Sequence, residues 1–376
     1  MKKVLLVTHV SGFVPQFEMS NVKTLQEMGY EVHYASNYNK PEYGNDNSRL
    51  KGSGVISHQI DFARSPFNII QNIHAYNQLC LLLKTETFEL LHCHTPVGGA
   101  ISRIAAWRCK NKKLKVIYTV HGFHFLKGGP LKNWILYYPV ERQLARITDI
   151  LVTINVDDYK IAKKMKLKKN GSVEKINGVG IDTKKFEELF SERHVTKHEG
   201  TIFLSIGELN ENKNHKLVIE AMHRSNREDF KYVICGEGKN RNKIEKLINK
   251  YKLNDRVILM GYQKDIRQIL VQADIFIMPS FREGLSVALQ EAMASGLAAI
   301  VTDIRGNRDL IEPQKGGWLV NSNDVNSMIN AMNMATCFDT RTIGLYNMKK
   351  IKDYDREKVA LSMEVIYKKL LEEELC

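Results

Sequence analysis

The sequence predicts an α/β protein made of two doubly wound domains in tandem, and three observations predict it. Short apolar, β-branched runs alternate with helical periodicities along the chain, the pattern of parallel sheets covered on both faces. The alternation breaks once, near residues 178–200, where Gly178, Gly180 and a charged stretch from Lys184 to Gly200 intervene. The chain has 376 residues, and at roughly 150 residues per domain that suits two large domains.

Each element has its own signal. Lys3–Thr8 is an apolar strand, 15–28 a helical pattern closed by Gly29, and Glu31–Ala35 a second strand. Glu89–Cys93, Lys115–Thr119 and Ile150–Ile154 continue the first sheet, with helices over 69–84, 97–110, 130–146 and 156–166. The second series runs Thr201–Ile206, Lys231–Cys235, Val257–Met260, Ile275–Met278 and Ala298–Val301. Its helices fit 214–224, 240–251, 264–271, 284–295 and 324–335. Asp355–Glu374 is amphipathic, with Val359, Met363, Ile366, Leu370 and Leu371 on one side. The expected domains are 1–185, 186–352 and a terminal helix over 353–376. Tandem doubly wound halves imply a cleft faced by the carboxyl ends of both sheets.

Hydrophobic residues are 43% and charged residues 26%, which excludes a disordered, collagenous or disulfide-framed chain. No apolar stretch approaches about 18 residues, so no membrane span is expected. The opening Met1–Thr8 run is too short for a signal peptide, and His9, Pro15 and Glu18 follow it. Cysteines 80, 93, 109, 235, 337 and 376 form no Cys-x-x-Cys pair, so they read as reduced thiols of a cytosolic protein.

The net charge of +13 is unevenly placed: residues 1–170 hold 24 basic and 12 acidic side chains, the remainder 31 and 30. A basic half beside a neutral one implies different partners. No zinc finger, RNA-binding aromatic signature or basic zipper is present, so nucleic acid is not expected. Trp134 and Tyr137 lie in a segment flanked by Lys132 and Arg142; Arg108, Lys110, Lys112, Lys113 and Lys115 are near in sequence, and Lys163, Lys164, Lys166 and Lys168 follow. Aromatics beside cations suit an anionic membrane surface; a core aromatic beside solvated lysines is the alternative.

Three segments carry candidate chemistry. Phe281-Arg282-Glu283-Gly284-Leu285-Ser286 leads from a strand into a helix expected to begin near Leu285, and Glu291 follows eight residues after Glu283. Eight helical residues span about 12 Å, too far for the paired carboxylates of a glycosidase, about 5–10 Å apart. The spacing suits two grips on one long ligand, with free N–H groups of Leu285, Ser286 and Val287 facing an anion; an acidic helix start with one surface Glu is the plain alternative. Ser205–His215 places Lys213 after the second domain's first strand, where it could clamp a diphosphate or sit solvated in a polar turn. Tyr118–Phe125 delivers His121 from a strand, with Gly122 and His124 after it. His92 and His94 suggest zinc, but they alternate on one strand and no third ligand has metal spacing, so no metal is expected. Thr95 follows His94, and Gly12 closes the first strand.

Together these segments resemble glycosyltransferase family 4, retaining enzymes of the GT-B fold, and most closely its bacterial branch for capsular and exopolysaccharide assembly. The likeness rests on Ile73–Tyr76, His92–Gly99, Tyr118–Leu126 with Pro130–Arg142, Asn177–Asp182, Ile206–His215 and the Glu283-x7-Glu291 signature. By resemblance, Glu283 contacts the transferred sugar and Glu291 the ribose, Lys213 binds the donor diphosphate, and His121 lies near the sugar. Gly12 approaches donor and acceptor, while Gly261 and Tyr262 border the base. His94, Thr95 and His124 fall on the acceptor side. Glu208 stands where the family often has an arginine, and Arg282 is a possible substitute. The resemblance implies a cofactor-free, metal-independent transfer from a nucleotide sugar, with uridine as the expected base. The expected acceptor is a polyprenyl-diphosphate-linked saccharide, met at the cytoplasmic face of the plasma membrane. It also implies a terminal helix that crosses back to the first domain. A nucleotide-sugar epimerase and a non-catalytic nucleotide-sugar-binding scaffold are the competing readings.

Overall fold

The computed structural model describes residues 1–39, 47–111, 113–126, 129–193 and 199–371. Lys112, Cys376, residues 372–374 of the expected tail helix and 194–198 of the expected connection lie outside the described residues.

In chain order the first elements are β1 (Lys3–Val7), a π-helical turn (Val14–Glu18), α1 (Met19–Glu27), β2 (Glu31–Ser36), β3 (Ile56–Gln59), α2 (Ile69–Thr85), β4 (Leu90–His94), α3 (Pro96–Arg108), β5 (Lys115–Val120), α4 (Leu131–Ala145), β6 (Ile150–Thr153), α5 (Val156–Ala162) and β7 (Ser172–Lys175). Then come α6 (Thr183–Glu187), α7 (Leu189–Arg193), β8 (Thr201–Ile206), α8 (His215–Arg224), β9 (Phe230–Cys235), α9 (Arg241–Tyr251), β10 (Val257–Gly261), α10 (Arg267–Gln272), β11 (Ile275–Met278), α11 (Val287–Ala294), β12 (Ala298–Thr302), α12 (Asn307–Leu310), β13 (Gly317–Val320), α13 (Val325–Ala335), α14 (Thr340–Ile351) and α15 (Arg356–Leu371).

The chain forms two compact units, residues 1–180 with 356–376 and residues 181–355. Unit 1 holds a seven-stranded sheet in the order β3-β2-β1-β4-β5-β6-β7, and unit 2 a six-stranded sheet in the order β10-β9-β8-β11-β12-β13. Every pairing is parallel. The central strands read as near-continuous apolar runs because helices cover both faces. Val4, Leu5, Leu6 and Val7 are buried without gaps, as are Ile275, Phe276, Ile277 and Met278. In unit 1, Leu5, Leu91, Val116 and Leu151 join Ala75, Leu79, Ile101 and Ala105 of the covering helices in one core. In unit 2, Phe203, Ile234, Ile277 and Ile300 meet Val218, Met222, Met328 and Met332.

The last helix belongs to unit 1. α15 packs on α1 and buries Val359, Met363, Ile366 and Tyr367. Each such apolar side chain contributes about 1.5–3 kcal/mol when fully buried. Among the described residues no helix is long and apolar enough to cross a membrane.

Candidate functional site

The strand order of unit 1 reverses at β1 and β4, and that of unit 2 at β8 and β11. Beyond the carboxyl ends of such strands an open parallel sheet leaves room for a ligand. Most of the singled-out residues lie at these two places, each in its own unit.

In unit 1, the chain leaves β1 through a turn at Ser11 and Gly12 and enters the π-helical turn with Pro15 in its first positions. The expected single helix over 15–28 is therefore two elements. A π-helical turn is rare and recurs at functional sites. It ends on Glu18, which is buried, and Asn21 Nδ2 donates to Glu18 Oε2. Glu18 Oε1 lies 3.6 Å from His94 Nδ1 and 3.6 Å from His121 Nε2. The two ring nitrogens are 3.1 Å apart. Burial pushes the Glu18 carboxyl up to about 8. It drives the His121 imidazole down to about 4 and holds His94 well below the ordinary histidine range. The Phe13 ring stands edge-on to His121, centroids 4.9 Å apart.

His92 is held differently. Its Nδ1 lies 2.9 Å from Tyr367 Oη and its Nε2 2.8 Å from Thr119 Oγ1, so both ring nitrogens are engaged. Thr95 has φ 63°, an outlier for a β-branched residue and a form of strain that clusters at functional sites. Its hydroxyl accepts from His9 N–H at 3.3 Å. A Cβ at Gly98 would lie 2.9 Å from Thr95 Oγ1 and 3.0 Å from His9 N, so that helix start needs glycine.

The structure thus gathers His94, Thr95 and His121 with Glu18 and His9, two residues absent from the sequence candidates. His124 lies three residues beyond His121, in the loop after β5. It stacks on Tyr137, centroids 4.8 Å apart, and lines a cavity of about 350 Å³ with Pro96, Val97, Phe123, Leu136 and Val140. Trp134 and Tyr137 are half-buried against the core, and Trp134 Nε1–H donates to Leu126 O at 3.0 Å. The exposed apolar residues of α4 are instead Leu131, Ile135, Leu136 and Val140. Lys163, Lys164, Lys166 and Lys168 are exposed, and Lys168 pairs with Asp149 at 2.9 Å.

In unit 2, two loops are stitched together. Lys213 lies in a short 3₁₀ turn after β8, whose start is capped by Asn210. Phe281 N–H donates to Asn212 O at 2.8 Å, and Asn212 Nδ2 to Arg282 O at 2.8 Å. Asn214 Nδ2 donates to Pro279 O at 3.2 Å. Between the loops Lys213 Nζ meets Glu283 Oε1 at 2.8 Å, with both side chains mostly shielded. Gly207 has φ 156°, and a Cβ there would lie 2.8 Å from Lys213 Cε; glycine clears the path of the lysine.

The acidic loop differs from its sequence reading. α11 starts at Val287, not near Leu285, and the Ser286 hydroxyl caps it by accepting from Leu289 N–H at 3.3 Å. Ser286 serves the helix because a capping oxygen satisfies an otherwise orphaned N–H. Glu283 and Gly284 precede the helix, so the axial spacing of about 12 Å does not describe Glu283 and Glu291. Leu285 is buried and Arg282 exposed. The guanidinium that touches this loop is Arg305, buried, donating from Nε to Glu283 O at 3.0 Å. The sequence reading missed Arg305. Its one local signal is Gly306, where φ is 77° and a Cβ would fall 2.2 Å from Gly284 O.

Glu208 is exposed and accepts from Asn210 Nδ2 at 2.9 Å. Glu291 lies half-buried on α11. Gly261 ends β10 with φ 69°, its carbonyl accepting from Gly236 N–H at 2.8 Å, and Tyr262 beyond it is 68% exposed. These two lie at an edge strand, separated from β8 by β9. Gly12, grouped with the donor candidates, belongs to unit 1.

The chain matches two sequence families, Glycosyl transferase 4-like over residues 3–154 and Glycosyl transferases group 1 over residues 186–336. It is 36% identical over 333 residues to EpsD of Bacillus subtilis (strain 168), covering 86% of this chain and 84% of the relative. It is 29% identical over 276 residues to the Escherichia coli UDP-Gal:alpha-D-GlcNAc-diphosphoundecaprenol alpha-1,3-galactosyltransferase, covering 70% of each. Sucrose-phosphate synthase from Thermosynechococcus elongatus superposes with a TM-score of 0.79 at 17% identity, over 99% of this chain and 100% of that one. The chain therefore belongs to the glycosyltransferases of the group 1 and 4-like families, and its fold is that of the GT-B enzymes.

Proposed function

We propose that the protein transfers a sugar from a nucleotide-sugar donor, with UDP as leaving group, to a lipid-linked saccharide in exopolysaccharide or capsule assembly, with retained anomeric configuration. The observation that carries this is the Lys213–Glu283 pair, 2.8 Å apart and mostly shielded from water. A fixed cation beside a fixed carboxylate suits a ligand that brings phosphate and hydroxyl groups together. The E. coli relative, by its name, uses UDP-Gal and a diphosphoundecaprenol acceptor.

In the reaction the bond from sugar C1 to the diphosphate oxygen breaks, and a bond from C1 to the acceptor oxygen forms on the same face. The acceptor proton passes to the leaving diphosphate. Negative charge grows on that diphosphate. Lys213 and the N–H groups at the start of α11 oppose it, with no ion needed at the diphosphate. Arg305 holds the Glu283 backbone in place, while Glu283 addresses the sugar and Glu291 the ribose.

The acceptor side is assigned to unit 1, working against an anionic membrane at the cytoplasmic face. Phe67 just before α2, Ile69, Ile70 and Ile73 on it, and Leu131, Ile135, Leu136 and Val140 on α4 are exposed, and α3 packs against both helices. Lys132, Arg142 and the lysines of 163–168 lie in the same unit. Apolar residues insert among headgroups while cations bind them. Co-sedimentation with phosphatidylglycerol vesicles should fall steeply with salt and be lost when Lys163, Lys164 and Lys166 become Glu. Salt-insensitive or absent binding removes this part.

The deciding experiment is melting of the full chain with UDP, GDP, ADP or no nucleotide, in EDTA, beside Glu291→Ala. A ligand at a hundredfold excess over Kd stabilises by about 2.7 kcal/mol. A rise with UDP that Glu291→Ala abolishes supports the donor site. No shift with any nucleotide at millimolar concentration sinks it, because Glu208 then marks a diphosphate site short of one cation.

A further inference from the structure

Between the start of α2, α3 and α4 lies the cavity of about 350 Å³, a volume in the range of small-molecule sites. Its floor holds the buried Ile101, Phe123 and Phe125, and its rim the exposed Phe67, Leu136 and Val140. The rim continues the exposed apolar faces of α2 and α4, so the cavity opens onto an apolar surface. Among the described residues of its lining, the charged one is Glu141. That carboxylate accepts from Arg103 Nη2 at 2.9 Å, and the buried Arg103 guanidinium lies 3.8 Å from the centroid of the Tyr118 ring. A buried charge needs such pairing. The pairing leaves the lining without net charge, which suits an apolar guest.

The acceptor-side residues border this cavity. Pro96 of the lining follows Thr95 directly, and His124 is itself part of the lining. A cation stands at the same edge. Asn72 ties the preceding loop to α2: its Oδ1 accepts from Ala63 N–H at 3.2 Å and its Nδ2 donates to Ser65 O at 3.0 Å. Arg64 lies on that loop, two residues before Pro66 of the lining. Its charge reaches His9, adding to the burial that drives that imidazole down to about 4, and His9 N–H in turn donates to Thr95. Apolar cavity, cation and acceptor-side hydroxyl are thus contiguous within unit 1.

We propose that this cavity holds the first isoprene units of the acceptor lipid, with the lipid diphosphate at its mouth beside Arg64. The inference rests on the lipid-linked acceptor of the proposed function and deepens it: the protein reads the lipid as well as the saccharide. A cavity at the small end of the range admits only the first units. The rest of the tail continues over the exposed apolar residues of α2 and α4. A prenyl chain fits better than a saturated acyl chain because a double bond in every unit removes a rotatable bond, so less freedom is lost on ordering. Its flat, methyl-branched units also match the rings of Phe123 and Phe125, stacked with centroids 4.7 Å apart.

The test is calorimetric titration of the full chain with farnesyl diphosphate, dodecyl diphosphate and inorganic pyrophosphate, without nucleotide or saccharide. The first two have main chains of equal length, so they separate a prenyl guest from any apolar chain. Farnesyl diphosphate should bind with one equivalent per chain, at least about tenfold tighter than either of the others. Each buried CH₂ is worth about fourfold in affinity. Ala100→Phe, which fills the cavity from α3, should therefore weaken binding by more than about tenfold. Leu136→Gln, at the exposed rim where the fold tolerates it, should weaken binding by about fourfold or more. Leu81→Gln, exposed on α2 and outside the lining, should leave it unchanged. No binding of farnesyl diphosphate to the wild type, equal affinity for the dodecyl compound, or unchanged affinity in folded Ala100→Phe and Leu136→Gln overturns the proposal. The donor site is tested separately by the UDP melting shift. Loss of prenyl binding with that shift intact removes the cavity's role alone.

Discussion

Two sheets of the same construction carry opposite chemistry at their switch points. In unit 1 the residues beyond β1, β4 and β5 are desolvated and held neutral: Glu18 is pushed up, while His94 and His121 are pushed down. In unit 2 the residues beyond β8 and β11 are a charged pair, Lys213 and Glu283, between loops joined through backbone atoms. The parallel sheet supplies a place and little else. The loops decide whether it favours neutral groups or full charges. Exposed apolar residues do not follow the same division: Ile69, Ile70, Ile73, Leu131 and Ile135 lie on helices of unit 1, and Met334 and Leu345 on helices of unit 2.

The contrast can be broken most forcefully at the charged pair. Lys213→Ala should lower kcat/KM by about a hundred- to a thousandfold, the scale of losing one preorganised charge stabiliser. Nucleotide release from the donor sugar measures it. Activity within threefold of wild type would leave the pair without a catalytic task.

The independence of the units comes next. Met363→Ala in α15 and Met332→Ala in α13 each empty a fully buried site and should cost about 2–5 kcal/mol. In urea, the first should shift the transition of unit 1 and the second that of unit 2. A single transition displaced equally by both contradicts separate cores.

Acid sharpens a point the units share. Both hold a buried histidine against a tyrosine hydroxyl, His92 with Tyr367 and His215 with Tyr232, each at 2.9 Å. Burial drives both imidazoles down to about 3; the neighbouring His121 adds to this for His92, and Lys213 for His215. The unfolded chain therefore binds protons that the folded one refuses. The stability each histidine contributes is whole above its unfolded pKa, near 6.5, and is lost as pH falls toward 3. The slope is at most about 1.4 kcal/mol per pH unit for each. Urea midpoints from pH 7 to 5 should fall less in His215→Gln than in wild type; parallel slopes would refute the assignment.

The smallest effect belongs to Thr95. Replacing it with glycine relieves strain of about 1–3 kcal/mol and adds about 0.5–1 kcal/mol of chain entropy cost. Thr95→Gly should thus raise stability by about 1 kcal/mol in thermal melts and lower activity. A clear loss of stability would show that its bond to His9 outweighs the strain.

The central strands were legible because burial on both faces writes an apolar run. The strands with no signal were β3, β7 and β13, all at sheet edges. In β3, Ile-Ser-His-Gln is largely exposed, so one neighbour and little burial leave no pattern. α14 was invisible for another reason. Gly344 reads as a helix breaker, yet a Cβ there would lie 2.0 Å from Gly296 O, so packing demands glycine mid-helix. At the candidate site, Lys213, Glu283 and His121 were legible from strand-end position and family resemblance. Glu18 and Arg305 were not, because only tertiary folding brings them to their partners.

The return of α15 into unit 1 also sets an order of events at the ribosome. Residues 181–355 are continuous, so unit 2 has its whole sequence in hand as soon as Asp355 emerges. Unit 1 begins synthesis first, yet Met363 and Tyr367 reach it only after all of unit 2 has been made. Domains generally fold as units as they are made. Here the earlier-made unit closes last, and the nascent chain carries His92 without its phenol partner while all of unit 2 is translated.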